Sequence, residues 1–257
     1  MSDEHIIAFC LGNDAVLPKA SCDACAKLTS YLEGYAGRQV FGPMRKHFRI
    51  QSRRKSSPLG TVDVRFIRAT GEETRSVQRN LLPTMLSLPL FPAAGLLEDR
   101  APAPIHVVDN WIWFAEDPAQ RMSKLLQPGE FGWQLPAAVN GSTFARMLAK
   151  IAHSIAVGWL GISAYEHLLP PLILGNDPNI GYPVGGAEGP TEPDPPIPYG
   201  PKTHHHTLKV IPMSSPGKRD ILAVNIRLFK HIGTPSYWVI VGFPTMETVA
   251  RLKDTSD

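Results

Sequence analysis

Three groups of side chains have types and spacings suited to chemistry. Cys22 and Cys25 form a Cys-x-x-Cys pair, a spacing that serves metal coordination or thiol redox exchange. Two thiolates fill only half of a tetrahedral Zn²⁺ site, so Cys10, a histidine, water or another chain would have to complete it. Cys10, 12 residues before Cys22, is one candidate. The second group is the run His204-His205-His206, which leads into an expected strand. Alternation there would put His204 and His206 on one face, giving two ligands at most, and the run is read as an adventitious metal site or a plain loop.

The third group is cationic. Arg38, Arg45, Lys46, Arg49, Arg53, Arg54 and Lys55 occur with no acidic residue among them. Residues 1–79 carry 13 Lys/Arg against 8 Asp/Glu, whereas residues 80–257 carry 13 against 15, so the basicity belongs to the N-terminal third. Such a block attracts polyanions. Phe41, His47 and Phe48 interleave with the cations and offer surfaces on which bases would stack while Arg and Lys hold phosphates. Nucleic acid is the partner this implies, with DNA favoured over RNA.

Glu4-His5-Ile6-Ile7, then Gly12-Asn13, then Cys22-Asp-Ala-Cys25 at a helix start resembles the HNH nuclease family. The resemblance covers roughly the first 35 to 50 residues. It implies a ββα-metal module in which an Asp/Glu-His pair on a strand faces a helix across a divalent ion, often braced by zinc. By motif position Glu4 is then a ligand for Mg²⁺ or Mn²⁺, His5 the general base and Asn13 the residue that orients it, with Cys22 and Cys25 as zinc ligands. Phosphodiester hydrolysis needs such parts: a hard cation to polarise the phosphate and a base to deprotonate water. Two departures matter. The second Cys-x-x-Cys that usually stands upstream is not in the sequence, and Ala26 stands where Asn or His usually supplies a further ligand. The implied function is a metal-dependent endonuclease, weak or inactive as written; the alternative is a nucleic-acid-binding protein without catalysis.

The elements that would hold these groups read as an α+β chain. Ile6 to Leu11 and Val16-Leu17 are expected strands. A helix follows the cysteine pair, with Leu28 and Leu32, beside Tyr31 and Tyr35, on one face. Residues 1–50 make a ββα module with its basic extension, 51–60 a polar linker, and 61–257 a larger mixed domain. Thr61 to Ala69 alternates as a half-buried strand, residues 80–104 look proline-broken, and Ile105 to Phe114 is a strand. Ser142 caps a helix running to Trp159, with Phe144, Met147, Leu148, Ile151, Ile155 and Trp159 as its apolar stripe and Arg146, Lys150 and His153 opposite. His153 is read as solvent-facing. Residues 169–201 hold 10 of the 25 prolines and read as a long irregular loop. Thr207 to Pro212, Ile221 to Phe229 and Tyr237 to Gly242 are an antiparallel meander, and the C-terminus looks frayed.

With 257 residues, 43% hydrophobic and 19% charged, the chain has ample material for a core. No apolar run reaches the ~18 residues of a membrane span. The first residues lack a basic, apolar leader, so a cytoplasmic location is expected. No phosphate-binding glycine loop, Ser-His-Asp set or dinucleotide fingerprint is present.

Overall fold

The computed structural model describes residues 1–12, 14–50, 60–135, 139–188, 206–214 and 218–254. The expected strand–strand–helix order opens it, with shifted bounds. β1 (Ser2–His5) pairs antiparallel with β2 (Val16–Ser21), and α1 (Asp23–Tyr35) follows directly. The strand expected at Ile6 to Leu11 is a turn ending in a 3-10 helix at Phe9–Leu11. Ile7 and Ala8 are both buried, and neighbours on a strand face opposite ways, so one core accepts both only from a turn. On α1 the buried positions are Thr29 and Leu32; Leu28 and Tyr31, expected on the apolar face, are exposed. A π-helical turn (Ala36–Val40) and α2 (Gly42–His47) carry the basic segment.

β3 (Thr61–Arg68) is the expected half-buried strand, with Val64 and Phe66 inward, and pairs with β4 (Gly71–Gln78). β5 (Met85–Leu90) and β6 (Asp109–Phe114) form a separate two-stranded ribbon. β5 corrects the proline-broken reading of residues 80–104. The Pro89 carbonyl accepts from the Tyr237 hydroxyl at 2.9 Å, so that side of the strand faces away from β6 and the missing N–H costs no ladder bond. α3 (Pro118–Met122) leads to β7 (Glu130–Gln134), which pairs with the free edge of β3. This three-stranded sheet has its own small core around Val64, Phe66, Leu82 and Met122. Beside it, burial pushes the Glu130 carboxyl up, but the Gln127 N–H and the guanidinium groups of Arg68 and Arg75 outweigh that and hold it low.

α4 (Gly141–Leu160) is the expected central helix, capped by Asn140, which accepts from the Thr143 N–H at 2.8 Å, rather than by Ser142. It is buried nearly all round, because Ala145, Ala149, Ala152 and Ala156 are covered as fully as Phe144, Met147, Leu148 and Ile151. Trp159, placed in the stripe, is exposed, while Lys150, placed opposite it, is buried. After α4 come β8 (Tyr165–His167), α5 (Leu169–Leu174) and β9 (Val184–Glu188), so the described part of the expected 169–201 loop contains a helix and a strand. Gly185 and Gly186 sit in β9, where a side chain would run into the backbone of Phe91 to Ala94.

β10 (His206–Met213), β11 (Ile221–Leu228) and β12 (Ser236–Pro244) are the expected antiparallel meander; β8 and β9 both add to β12. The chain then forms α6 (Met246–Asp254), which takes in the first four of the seven C-terminal residues expected to fray; residues 255–257 lie outside the described residues. The whole is a mixed α+β fold of antiparallel sheets. α4 packs against α1 and α5 and against β11 and β12, and one core runs from Ile7 and Leu11 through Phe41, Phe144 and Val239. Residues 1–50 therefore share a core with β5, α4, α5 and the C-terminal sheet. Among the described residues no helix is long and apolar enough to cross a membrane.

Candidate functional site

β1 and α1 bring Glu4 to the centre of the ββα unit. Glu4 is 9% exposed, and both of its oxygens are taken. Oε1 lies 2.8 Å from Lys150 Nζ, and Oε2 accepts from Ser21 Oγ at 2.8 Å and Thr29 Oγ1 at 3.1 Å. Lys150 also meets Glu33 Oε1 at 2.7 Å and donates to the His5 carbonyl. All three ammonium hydrogens are thus used, and the side chain is only 3% exposed. Two carboxylates and a carbonyl around one buried cation are the donor set of a hard divalent ion, with an ammonium in its place. The residues present do not fit Mg²⁺ or Mn²⁺ at Glu4: the position is filled by the protein's own charge. His5 follows Glu4 on the strand and points to the other face, its ring 5.9 Å from that of Phe9. Asn13 lies outside the described residues.

Cys22 caps α1, accepting the Cys25 N–H at 3.4 Å. That N–H and the Cys25 thiol draw the Cys22 pKa down, whereas hydrogen bonding to Cys22, burial and the Cys22 and Glu4 charges push Cys25 up. Cys22 is the outer, more acidic thiol of the pair. Cys10 does not join it. Its thiol meets the Glu33 carbonyl, eight residues along α1 from Cys25 and hence about 12 Å down the axis. Burial pushes the Cys10 thiol up. Among the described residues no three His, Cys, Asp or Glu side chains converge as metal ligands, so Cys22 and Cys25 lack a third partner there for zinc. His206 is structural: Nε2 lies 2.8 Å from the Leu11 carbonyl, and the Phe229 N–H donates to Nδ1 at 3.2 Å. His204 and His205 lie outside the described residues.

His153, expected to face solvent, is largely enclosed. Its Nδ1 lies 3.5 Å from the Tyr165 hydroxyl and its ring 5.2 Å from that of His167. Burial, then the neighbouring His167, lowers its pKa to about 4. An unfolded chain takes up the proton near 6.5, well before the native state does, so stability is complete above that pH and is lost as pH falls towards about 4. Urea unfolding between pH 7 and 4.5 should lose about 1.4 kcal/mol per unit from this residue within the window. His153→Leu should flatten the slope; equal slopes would remove the imidazole as the cause.

The basic segment is pinned from beneath. Val40, Phe41, Met44 and Phe48 are buried in the main core, so Phe41 and Phe48 are anchors rather than the stacking surfaces expected of them. Phe48 stacks on Phe229 at 5.7 Å. Arg38, Lys46 and Arg49 point outward and are exposed; Arg45 is half-buried, with Nη1 donating to the Gly37 carbonyl at 3.2 Å. His47 is exposed, edge-on to Trp113 at 6.0 Å. Arg53, Arg54 and Lys55 lie outside the described residues.

Sequence reasoning missed Lys150 and Glu33. A lysine between Ala149 and Ile151 on a helix rich in buried alanine was the available signal. Compared with protein-family models, with characterised proteins and with solved structures, the chain matches none.

Proposed function

We propose that this protein binds nucleic acid, DNA in preference to RNA, through the face formed by residues 36–50, and that it does so without a catalytic metal at Glu4. One observation carries the reading. Arg38, Lys46 and Arg49 are exposed on a segment with no acidic residue, and Val40, Phe41, Met44 and Phe48 hold that segment rigidly in the core. Fixed cations neutralise phosphates at little ordering cost.

A second reading, metal-dependent phosphodiester hydrolysis, is favoured by the β1–β2–α1 order, which resembles the HNH arrangement and puts Glu4 and His5 on its first strand. It requires Glu4 to exchange Lys150 for a metal ion. Two assays separate the readings. Fluorescence anisotropy with labelled duplex should show binding that is unchanged by EDTA, and supercoiled plasmid should stay intact in Mg²⁺ or Mn²⁺. Nicking that needs the metal and disappears in His5→Ala, which leaves binding intact, would replace the binding-only account with hydrolysis. General bases contribute ~10²- to 10⁴-fold to rate, so the loss would be plain.

A further inference from the structure

The nucleic-acid reading gives the Cys-x-x-Cys pair no role, and among the described residues the pair has no third ligand for zinc. Its placement is specific. β2 ends at Ser21, Cys22 is the N-cap of α1, and Cys25 stands in the first turn of that helix. Cys22 Sγ lies over this turn, 3.4 Å from the Cys25 nitrogen, and the Cys25 thiol hydrogen-bonds to it. Alpha carbons three residues apart on a helical turn are separated by ~5 Å, inside the ~4.4–6.8 Å span of disulfides, so a bond between the two sulfurs needs side-chain rotation and no backbone movement. Access to the two differs. Cys22 is exposed, with exposed Asp23 and Ala24 beside it leaving its sulfur open to a small solute, while Cys25 is half-buried. The backbone N–H and the neighbouring thiol both favour a thiolate at Cys22, the form that attacks sulfur. Cys10, whose thiol meets the Glu33 carbonyl farther along α1, is out of reach of either.

We propose that Cys22 and Cys25 form a dithiol that reduces small-molecule disulfides, those of cysteinyl peptides such as glutathione disulfide, and is itself closed to a disulfide. Cys22, after giving its proton to solvent, attacks one sulfur of RS–SR. The S–S bond breaks, RS⁻ leaves and takes up a proton, and Cys22 is held as a mixed disulfide. Cys25 then loses its proton to solvent and attacks Cys22 Sγ, which breaks the mixed disulfide and releases the second RS⁻ to be protonated. Two electrons pass from the pair to the small disulfide, giving one Cys22–Cys25 bond and two RSH. Excess thiol runs the same steps backwards and reopens the pair. This activity needs neither the basic face nor Glu4, so it stands or falls apart from nucleic-acid binding.

The test mixes the reduced full chain with glutathione disulfide, blocks remaining thiols by alkylation at set times and maps all three cysteines by peptide mass spectrometry. The wild type should gain a Cys22–Cys25 disulfide, release two equivalents of glutathione and keep Cys10 open to alkylation. Cys25→Ser should stop at one glutathionyl group on Cys22, with one equivalent released. Cys22→Ser should react about tenfold more slowly or worse, because the exposed, amide-bonded thiol has gone. Folded geometry is read from the preference for Cys22 over Cys10, which should vanish in denaturing urea. Equal modification of all three cysteines in the folded chain, a stable glutathionyl adduct on the wild type, or a Cys22 preference that persists in urea overturns the proposal. Thiols that react only after a zinc chelator is added also overturn it, and would make the pair a metal site.

Discussion

Lys150→Met should destabilise the protein by about 3–5 kcal/mol, among the largest effects of any single substitution in the chain. Methionine keeps much of the apolar stem that lies within the core but removes the ammonium. Glu4 and Glu33 then face each other with the His5 carbonyl between them, and neither carboxylate has another ion-pair partner among the described residues. Uncompensated buried charge, rather than the missing attraction, supplies most of the cost. Neutralising the carboxylates in the same background, as Glu4→Gln/Glu33→Gln/Lys150→Met, should recover a large part of it. Urea unfolding at neutral pH measures both. Because the cluster is shielded, 0.5 M NaCl should change the loss little, unlike a surface pair screened within a few ångströms. Removing the ammonium also uncovers an oxygen donor set, so Mn²⁺ should restabilise Lys150→Met and leave the wild type unaffected. A loss below about 1 kcal/mol would mean that Lys150 does not organise the ββα unit.

Local periodicity made much of this fold legible. The 3.6-residue stripe of α4, the alternation of β3 and the three strands of the C-terminal meander all express burial that each segment carries in its own sequence. Short pieces failed for want of a period. β8 has three residues, β9 and β7 five each, and β5 contains a proline whose missing N–H is harmless only because Tyr237, far along the chain, lies on that side. The same gap decided the site. Glu4 as a charged residue beside a histidine is visible in the sequence, but its partner Lys150 lies on a helix 146 residues away, and no local pattern announces it. Phe41 and Phe48 read as surface because cations flank them; the helical turns at 36–47 rotate those cations outward and the rings inward.

The second large effect belongs to the exposed cations. Arg38→Gln, Lys46→Gln and Arg49→Gln together remove three outward charges without touching Val40, Phe41, Met44 or Phe48, so folding should be spared. Arg45 is left in place because it holds the Gly37 carbonyl. Every phosphate that goes un-neutralised in the variant should lower the slope of log affinity against log salt by about 0.9. Between 50 and 200 mM salt the wild type should consequently lose roughly 40-fold more affinity than the triple variant. The direct test is that pair of slopes, measured by anisotropy on one labelled duplex in EDTA. A steep slope is predicted for the wild type and one shallower by nearly three units for the variant. Parallel slopes, or a wild type that binds no duplex even at low salt, would contradict phosphate neutralisation by this face.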